Sequence, residues 1–310
     1  MIFMQKVLIG VVSLVMFSGA VLWASENSTC KSYTEKELNS IRASNNPNLI
    51  MGAGIVELIS NPSSTIGKDL LGLSSRTESP KGTATVSLIV HQLNSDYNQP
   101  LKPLRENVIQ LLQDDKDNAL SYYLNAILSQ EEGRDQEALA QIKKGNSKIF
   151  NSYPKERFYA IAQAAKMAKC SETQARQHAF WNSHSGAIYI KLRHLCKKLV
   201  ESYGEDTRKA CYLAGQNLER GSLTFIEQLS SLAIQSDSLG DSPSNAAARA
   251  EIKKKRDDIN TCRERTAIDI PETAVTDDAD LEYYRILLSK GECSARDFLT
   301  DFVKRKHKGN

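Results

Sequence analysis

Residues 117–146, "DNALSYYLNAILSQEEGRDQEALAQIKKGN", carry the strongest pattern in the chain. Leu120, Tyr123, Leu124, Ile127 and Leu128 recur at the three- and four-residue spacing that lines one face of a helix with apolar side chains. Ala119, Tyr122 and Ala126 form a second face, whose small residues let another helix come close. Asp117 or Asn118 can cap this helix, Gly133 can take the left-handed conformation that ends it, and Asp135 can cap the next. The second helix, over 136–144, presents Ala138, Leu139 and Ile142. It closes on Lys143 and Lys144, which meet the negative end of the helix dipole. The stretch predicts two packed antiparallel helices, and it contains no nucleophile, base or metal cluster.

Tyr122, Ala126, Gly133, Ala138 and Ile142 stand at the spacing of the aromatic, small, turn-glycine, alanine and large apolar positions of a tetratricopeptide repeat, which the stretch resembles. It departs from the pattern at Lys116, where the junction between repeats usually carries proline, and at Asn125 and Ser129, where leucine and tyrosine are usual. The resemblance implies an α-solenoid of antiparallel helix hairpins with a concave surface on the first helix of each pair. Tyr123, Ile127 and Gln130 are then the candidate ligand contacts, against the plainer expectation that Tyr123 and Ile127 are core. The lysine and asparagine pattern with which some repeats clamp a peptide's C-terminal carboxylate is missing.

Working outward, the same grammar continues. Thr34 with Glu37 and Ser171 with Gln174 form capping boxes, and Pro154 suits a first helical turn. The alanine-rich run "ERFYAIAQAAKMAK" (156–169) requires close neighbours. Helices are also predicted over 223–235, 245–262, 280–290 and 294–306, and the β-branched "TATVSLIVHQL" (83–93) is read as helix between helices. Loops are expected at 60–83, 236–245 and 267–280. The domain reading is a leader over 1–24, an N-terminal helical segment with a mobile loop over 25–82, and a hairpin array over 83–310. The expected fold class is all-α.

At 310 residues and 41% hydrophobic content the chain can bury a real core, and 40 basic against 37 acidic residues leave too little excess charge to call for nucleic acid. Residues 1–24 carry one basic residue, Lys6, then an uncharged and largely apolar run ending at Ala24, the layout of a secretory signal. The expectation is an exported, periplasmic or cell-envelope protein, with membrane contact only if the leader stays uncleaved. Cys30 lacks the small and aliphatic residues that precede a lipidated cysteine.

All six cysteines, Cys30, Cys170, Cys196, Cys211, Cys262 and Cys293, follow the leader, so an oxidising compartment would pair them. Only one pair can be argued from register. Cys196 and Cys211 lie almost symmetrically about a turn at Tyr203 and Gly204, each roughly 11 Å from it along its helix. Each also sits on its helix's apolar stripe, with Leu192, Leu195 and Leu199 on one side and Ala214 and Leu218 on the other. They should face each other at disulfide distance. The pairing of the other four is open.

Sites of chemistry are sparse. "STIGKD" (64–69) lacks the first glycine and the hydroxyl residue of a phosphate loop, and "MGAGIVE" (51–57) has no preceding strand. His178, His184, His194 and Cys196 would suit zinc by type, but His194 and Cys196 point apart on a helix, so no metal is expected. "WNSHSG" (181–186) sets Ser183 and Ser185 beside His184 without a nucleophile elbow. The runs at 253–256 and 304–308 read as solvated or frayed helix. The function expected is a non-enzymatic protein-binding or scaffold module with a protein or peptide partner and no cofactor. The alternative is a hydrolase-like envelope enzyme with its site around 181–186.

Overall fold

The structure, a computed structural model, describes residues 33–76, 82–95, 102–266 and 277–308. The leader expected over 1–24 and Cys30 lie outside the described residues. Every element described is helical, with one isolated bridge between Asn118 and Ile149, and the chain is all-α. The helices are α1 Glu35–Ala43, α2 Pro47–Ser60, α3 Thr65–Ser75, α4 Thr83–Ser95, α5 Lys102–Asp114, α6 Ala119–Glu131, α7 Asp135–Asn146 and α8 Pro154–Met167. They continue as α9 Glu172–Ser183, α10 Gly186–Ser202, α11 Glu205–Gly221, α12 Phe225–Leu239, α13 Ala246–Arg265, α14 Asp277–Lys290 and α15 Glu292–Lys308. No helix among the described residues is long and apolar enough to cross a membrane.

The quoted stretch forms α6 and α7 as expected. Asn118 caps α6 through a hydrogen bond accepted from the Leu120 amide. Gly133 takes φ +78°, and the amides of Gly133 and Arg134 donate back to the carbonyls of Gln130 and Ser129, which closes the helix end. Asp135 is the first residue of α7 and not its cap, a place where its charge still faces the positive end of the dipole. Asn118 also ties the hairpin shut: its side chain accepts from the Asn151 amide and donates to the Asn151 carbonyl.

Two cores divide the molecule. The first gathers apolar side chains of α4, α5, α6, α7, α10 and α11 with Ile234 of α12. In it α6 packs on α10 and α7 on α11, so two hairpins stack. Cys196 of α10 and Cys211 of α11 form the expected disulfide, their Cα atoms 5.6 Å apart, with Tyr203 ending one helix and Gly204 preceding the other. The second core gathers α1, α2, α3, α8, α9 and Tyr284 of α14. The chain therefore leaves the first core after α7, builds the α8–α9 hairpin against α2, and returns.

The glycines of 51–57 belong to that second core, inside α2. A Cβ on Gly52 would sit 2.0 Å from the Ala160 carbonyl oxygen, so the alanines of α8 meet backbone rather than side chain. Gly54 makes a looser but still close approach to Gly67 of α3, 3.0 Å from a Cβ to its carbonyl oxygen. This corrects the loop expected over 60–83: residues 65–75 are helical, Ser64 caps them by accepting from the Gly67 amide, and Leu70 and Leu71 are buried. Its serine, threonine and glycine content reflects a cap and a tight crossing. The loop expected over 236–245 is likewise reduced, since α12 runs to Leu239 and Pro243–Asn245 is a short 3-10 turn. Residues 277–280 begin α14, and the rest of the 267–280 stretch lies outside the described residues. Cys262 of α13 pairs with Cys293 of α15, and Cys170 is disulfide-bonded as well.

Candidate functional site

The turn between α9 and α10 is built by its own polar side chains. Asn182 donates to the His178 carbonyl at 2.8 Å and Ser183 to the Phe180 carbonyl at 3.2 Å, which satisfies the end of α9. His184 is extended, and α10 starts at Gly186. Beneath the turn lies Arg157 of α8, which is fully enclosed. Its guanidinium donates to the Ser185 hydroxyl and to the Asn182 carbonyl, both at 2.9 Å, and its Nε has no partner. Burial pulls its pKa down to about 10 against the opposing pull of Glu227.

Glu227 enters from α12. One carboxylate oxygen accepts the amides of Leu223 (2.9 Å) and Thr224 (3.2 Å), and the Thr224 hydroxyl accepts the Glu227 amide in return, a capping box that positions the acid. The other oxygen lies 3.4 Å from His184 Nδ1, at ion-pair distance without hydrogen-bond alignment. Burial raises the Glu227 pKa, but His184 and the two amides outweigh it and hold the carboxyl below its usual range. Arg157, His184 and Glu227 thus form a buried polar centre joining α8, the turn and α12. Tyr189, whose phenol lies 3.3 Å from the Ser222 hydroxyl, borders it.

Aromatic rings surround this centre. Phe180 meets His184 edge-on at 4.9 Å, Trp181 at 5.1 Å and Tyr284 at 6.0 Å, and Tyr284 continues to Phe158 at 5.1 Å and Tyr159 beyond. The inner rings pack while the outer ones face water: Trp181 is 51% and Tyr159 47% exposed. Ile226, beside Glu227, and Leu281 of α14 are exposed at 48% and 54%. Of the two neighbours at this turn, Phe180 packs inward and Trp181 faces water.

A histidine against a buried carboxylate is the pairing an acid–base centre uses. The hydroxyls of Ser183 and Ser185 are engaged with the Phe180 carbonyl and Arg157, and neither is hydrogen-bonded to His184. Of the zinc-like set, His178 is buried, His194 is exposed and Cys196 is in a disulfide. Among the described residues no group of three or more metal-ligating side chains could hold an ion.

The other candidate contacts lie apart from this turn. Tyr123 is sealed in the first core, its phenol donating to Asn146 and accepting from Asn217, both at 2.9 Å. Ile127 is core as well, and Gln130 is partly exposed. The two partners of the Tyr123 hydroxyl, Asn146 and Asn217, help line a recess with Lys148, Ile149, Phe150 and Arg220. The amide groups there are spent on joining α7 to α11, since Asn146 donates to the Ala210 carbonyl and Asn217 to those of Gly145 and Lys148.

Reading from sequence missed Arg157 and Glu227. The Thr224 to Glu227 capping box was a usable local signal for the acid; nothing near Arg157 foretells its burial, because its partners arrive from a later helix. No family model matches this chain, and no curated protein or solved structure matches it.

Proposed function

We propose that the protein is a non-enzymatic binding module of the cell envelope, and that a protein or peptide partner presenting apolar side chains docks on the exposed apolar side chains Trp181 and Tyr159, with Ile226 and Leu281 as further candidate contacts. The observation that carries this reading is the bracing of Trp181 by the partly buried Phe180 and of Tyr159 by the buried Phe158. Large aromatic side chains already held in place lose little freedom on binding, which is why such residues dominate interface energetics. The stacked α6–α7 and α10–α11 hairpins support the further reading of a short tetratricopeptide-like solenoid, with Gln130 its open contact on α6. The hydrolase-like alternative draws on the His184–Glu227 pair and needs a nucleophile that neither nearby serine supplies as placed.

The test is site-specific photo-crosslinking in intact cells. A photoreactive residue at position 181 should give a discrete protein adduct, and Tyr159→Ser should abolish it while leaving the urea midpoint unchanged. Position 213, where Leu213 is exposed on α11, serves as the control. The same adduct from both positions, or none from 181, sinks the reading. A discrete adduct from position 130 alone would move the interface to α6.

A further inference from the structure

We propose that the Cys262–Cys293 disulfide is a reducible latch, opened by a dithiol reductant, that releases the C-terminal half of α13. The two described disulfides stand in opposite surroundings. Cys196 and Cys211 are both sealed in the first core, whereas Cys262 is buried beside a partly exposed Cys293. Over the second pair sits a cation: Arg265 Nη2 is 3.9 Å from Cys262 Sγ and 3.7 Å from Cys293 Sγ. Bonds of 2.9 and 2.8 Å to the two carboxylate oxygens of Asp297 hold that guanidinium in place.

Exchange depends on access to one sulfur and on how well the other carries charge as it leaves. A reductant thiolate attacks Cys293 Sγ, the sulfur that solvent reaches, and forms a mixed disulfide. The Cys262–Cys293 bond breaks and its electron pair passes to Cys262 Sγ, where Arg265 faces the new thiolate. Asp297, 3.9 Å from Cys293 Sγ, disfavours charge on that side and so directs it to Cys262. The reductant's second thiol, deprotonated, then attacks its partner sulfur and expels Cys293 as the second thiolate. The two cysteines take up the protons the dithiol gave up. The protein gains two electrons, and the reductant becomes a disulfide.

The consequence follows from how α13 is held. Of its twenty residues only Ile252 and Cys262 are buried. Its first half is tied down by Arg249 on the Gly240 carbonyl, Arg256 on the Leu232 carbonyl and Lys255 on Glu219. Beyond Arg256, among the described residues, its polar links to other helices reduce to Arg265 with Asp297, and its covalent link is the disulfide. Opening that bond leaves residues 257–265 with one surface ion pair and the packing of Cys262 and the partly buried Ile259.

The experiment uses the full chain purified without reductant, equilibrated in dithiothreitol buffers of graded reduced-to-oxidised ratio, acid-quenched, alkylated and peptide-mapped. Cys262 and Cys293 should become half-reduced at a ratio at least tenfold below that needed for Cys196 and Cys211. At that ratio, amides of 257–265 should exchange with deuterium at least tenfold faster while those of 246–256 keep their protection. Arg265→Gln should slow the opening several-fold and leave Cys196–Cys211 unmoved. If both pairs open at one ratio, or 257–265 stays protected once its bond is open, the latch is overturned. An Arg265→Gln chain that opens at the original rate removes the guanidinium from the mechanism.

Discussion

In the core of α4 to α7 and α10 to α12 most of the filling is done by large side chains such as Leu120, Tyr123, Leu124, Leu192 and Leu199, with Gly145 against the Tyr123 ring and Gly215 against α12 as local close approaches. In the core of α1 to α3, α8 and α9, Gly52 and Gly54 bring backbone against backbone and the alanines of α8 fill what remains. The first arrangement spreads its stability over many contacts, so an altered side chain is felt in proportion to the volume changed. The second concentrates its requirement in a few positions that accept no added atom. Both solutions bury the same kind of surface, yet they answer differently to the smallest substitutions.

The largest expected effect is that of Gly52→Ala. The added methyl would overlap the Ala160 carbonyl, and α2 can relieve that only by moving off α8, at a cost of about 3 kcal/mol or more. Urea unfolding would measure it, and a loss below 1 kcal/mol would show that the two helices do not meet at that distance. In the first core, replacing both Cys196 and Cys211 by alanine should cost about 3 kcal/mol for the loop that their bond closes. Unchanged stability would mean that packing alone sets the register of α10 and α11. Ala126→Leu should cost ~1 to 3 kcal/mol, because Ala126 is fully enclosed on α6. A neutral Ala126→Leu would erase the contrast drawn between that helix's two faces.

Gly72→Ala reverses the sign within the second core. No atom lies near enough to meet the new methyl, so the helical preference of alanine should add about 0.5 to 1 kcal/mol. Destabilisation at both glycines would show that propensity and crossing distance had been confused. The smallest effect concerns acid. Burial holds His178 of α9 below the ordinary imidazole pKa, so it stays neutral in the folded chain where the unfolded chain would protonate. Its contribution is whole above about pH 6.5 and is lost as the pH falls through the depressed folded value. Glu227, depressed in the carboxylate range, has the same sign at lower pH: its contribution is present above its unfolded pKa and is lost below its folded one. His178→Gln should flatten the fall in urea midpoint below about pH 6.5; an unaltered slope would place the titrating group elsewhere.

How much of this was legible follows the same division. Periodicity reported α6, α7, α10 and α11 because each carries its own apolar stripe, and symmetry about Gly204 reported the Cys196–Cys211 pair. Capping boxes at Thr34 and Ser171 marked their helices because the cap is a four-residue event. α3 was misread because its glycine and hydroxyl residues serve a crossing with α2 that no local window contains. The polar centre was half legible: the turn of His184 stands in the sequence as a cluster, and Glu227 carries a capping signal. The burial of Arg157 depends on Asn182 and Ser185, whose positions are set by tertiary packing. The Cys262–Cys293 pair has no symmetric turn between its members, so spacing alone did not choose it among the alternatives.

The detour of the chain through α8 and α9 has a consequence in time. A nascent polypeptide lengthens from its N-terminus, so α1 to α3 emerge first and then wait for the helix that covers them. The partner of Gly52 is Ala160, roughly a hundred residues and on the order of 5 to 20 s of synthesis later. During that interval Leu49, Ile50, Met51 and Val56, all buried in the finished protein, have α1, α3 and α4 to shelter against but lack the cover of α8. The α6–α7 hairpin needs no such wait, because its two helices are made one after the other. The first helices written therefore cannot be fully covered until α8 has been made.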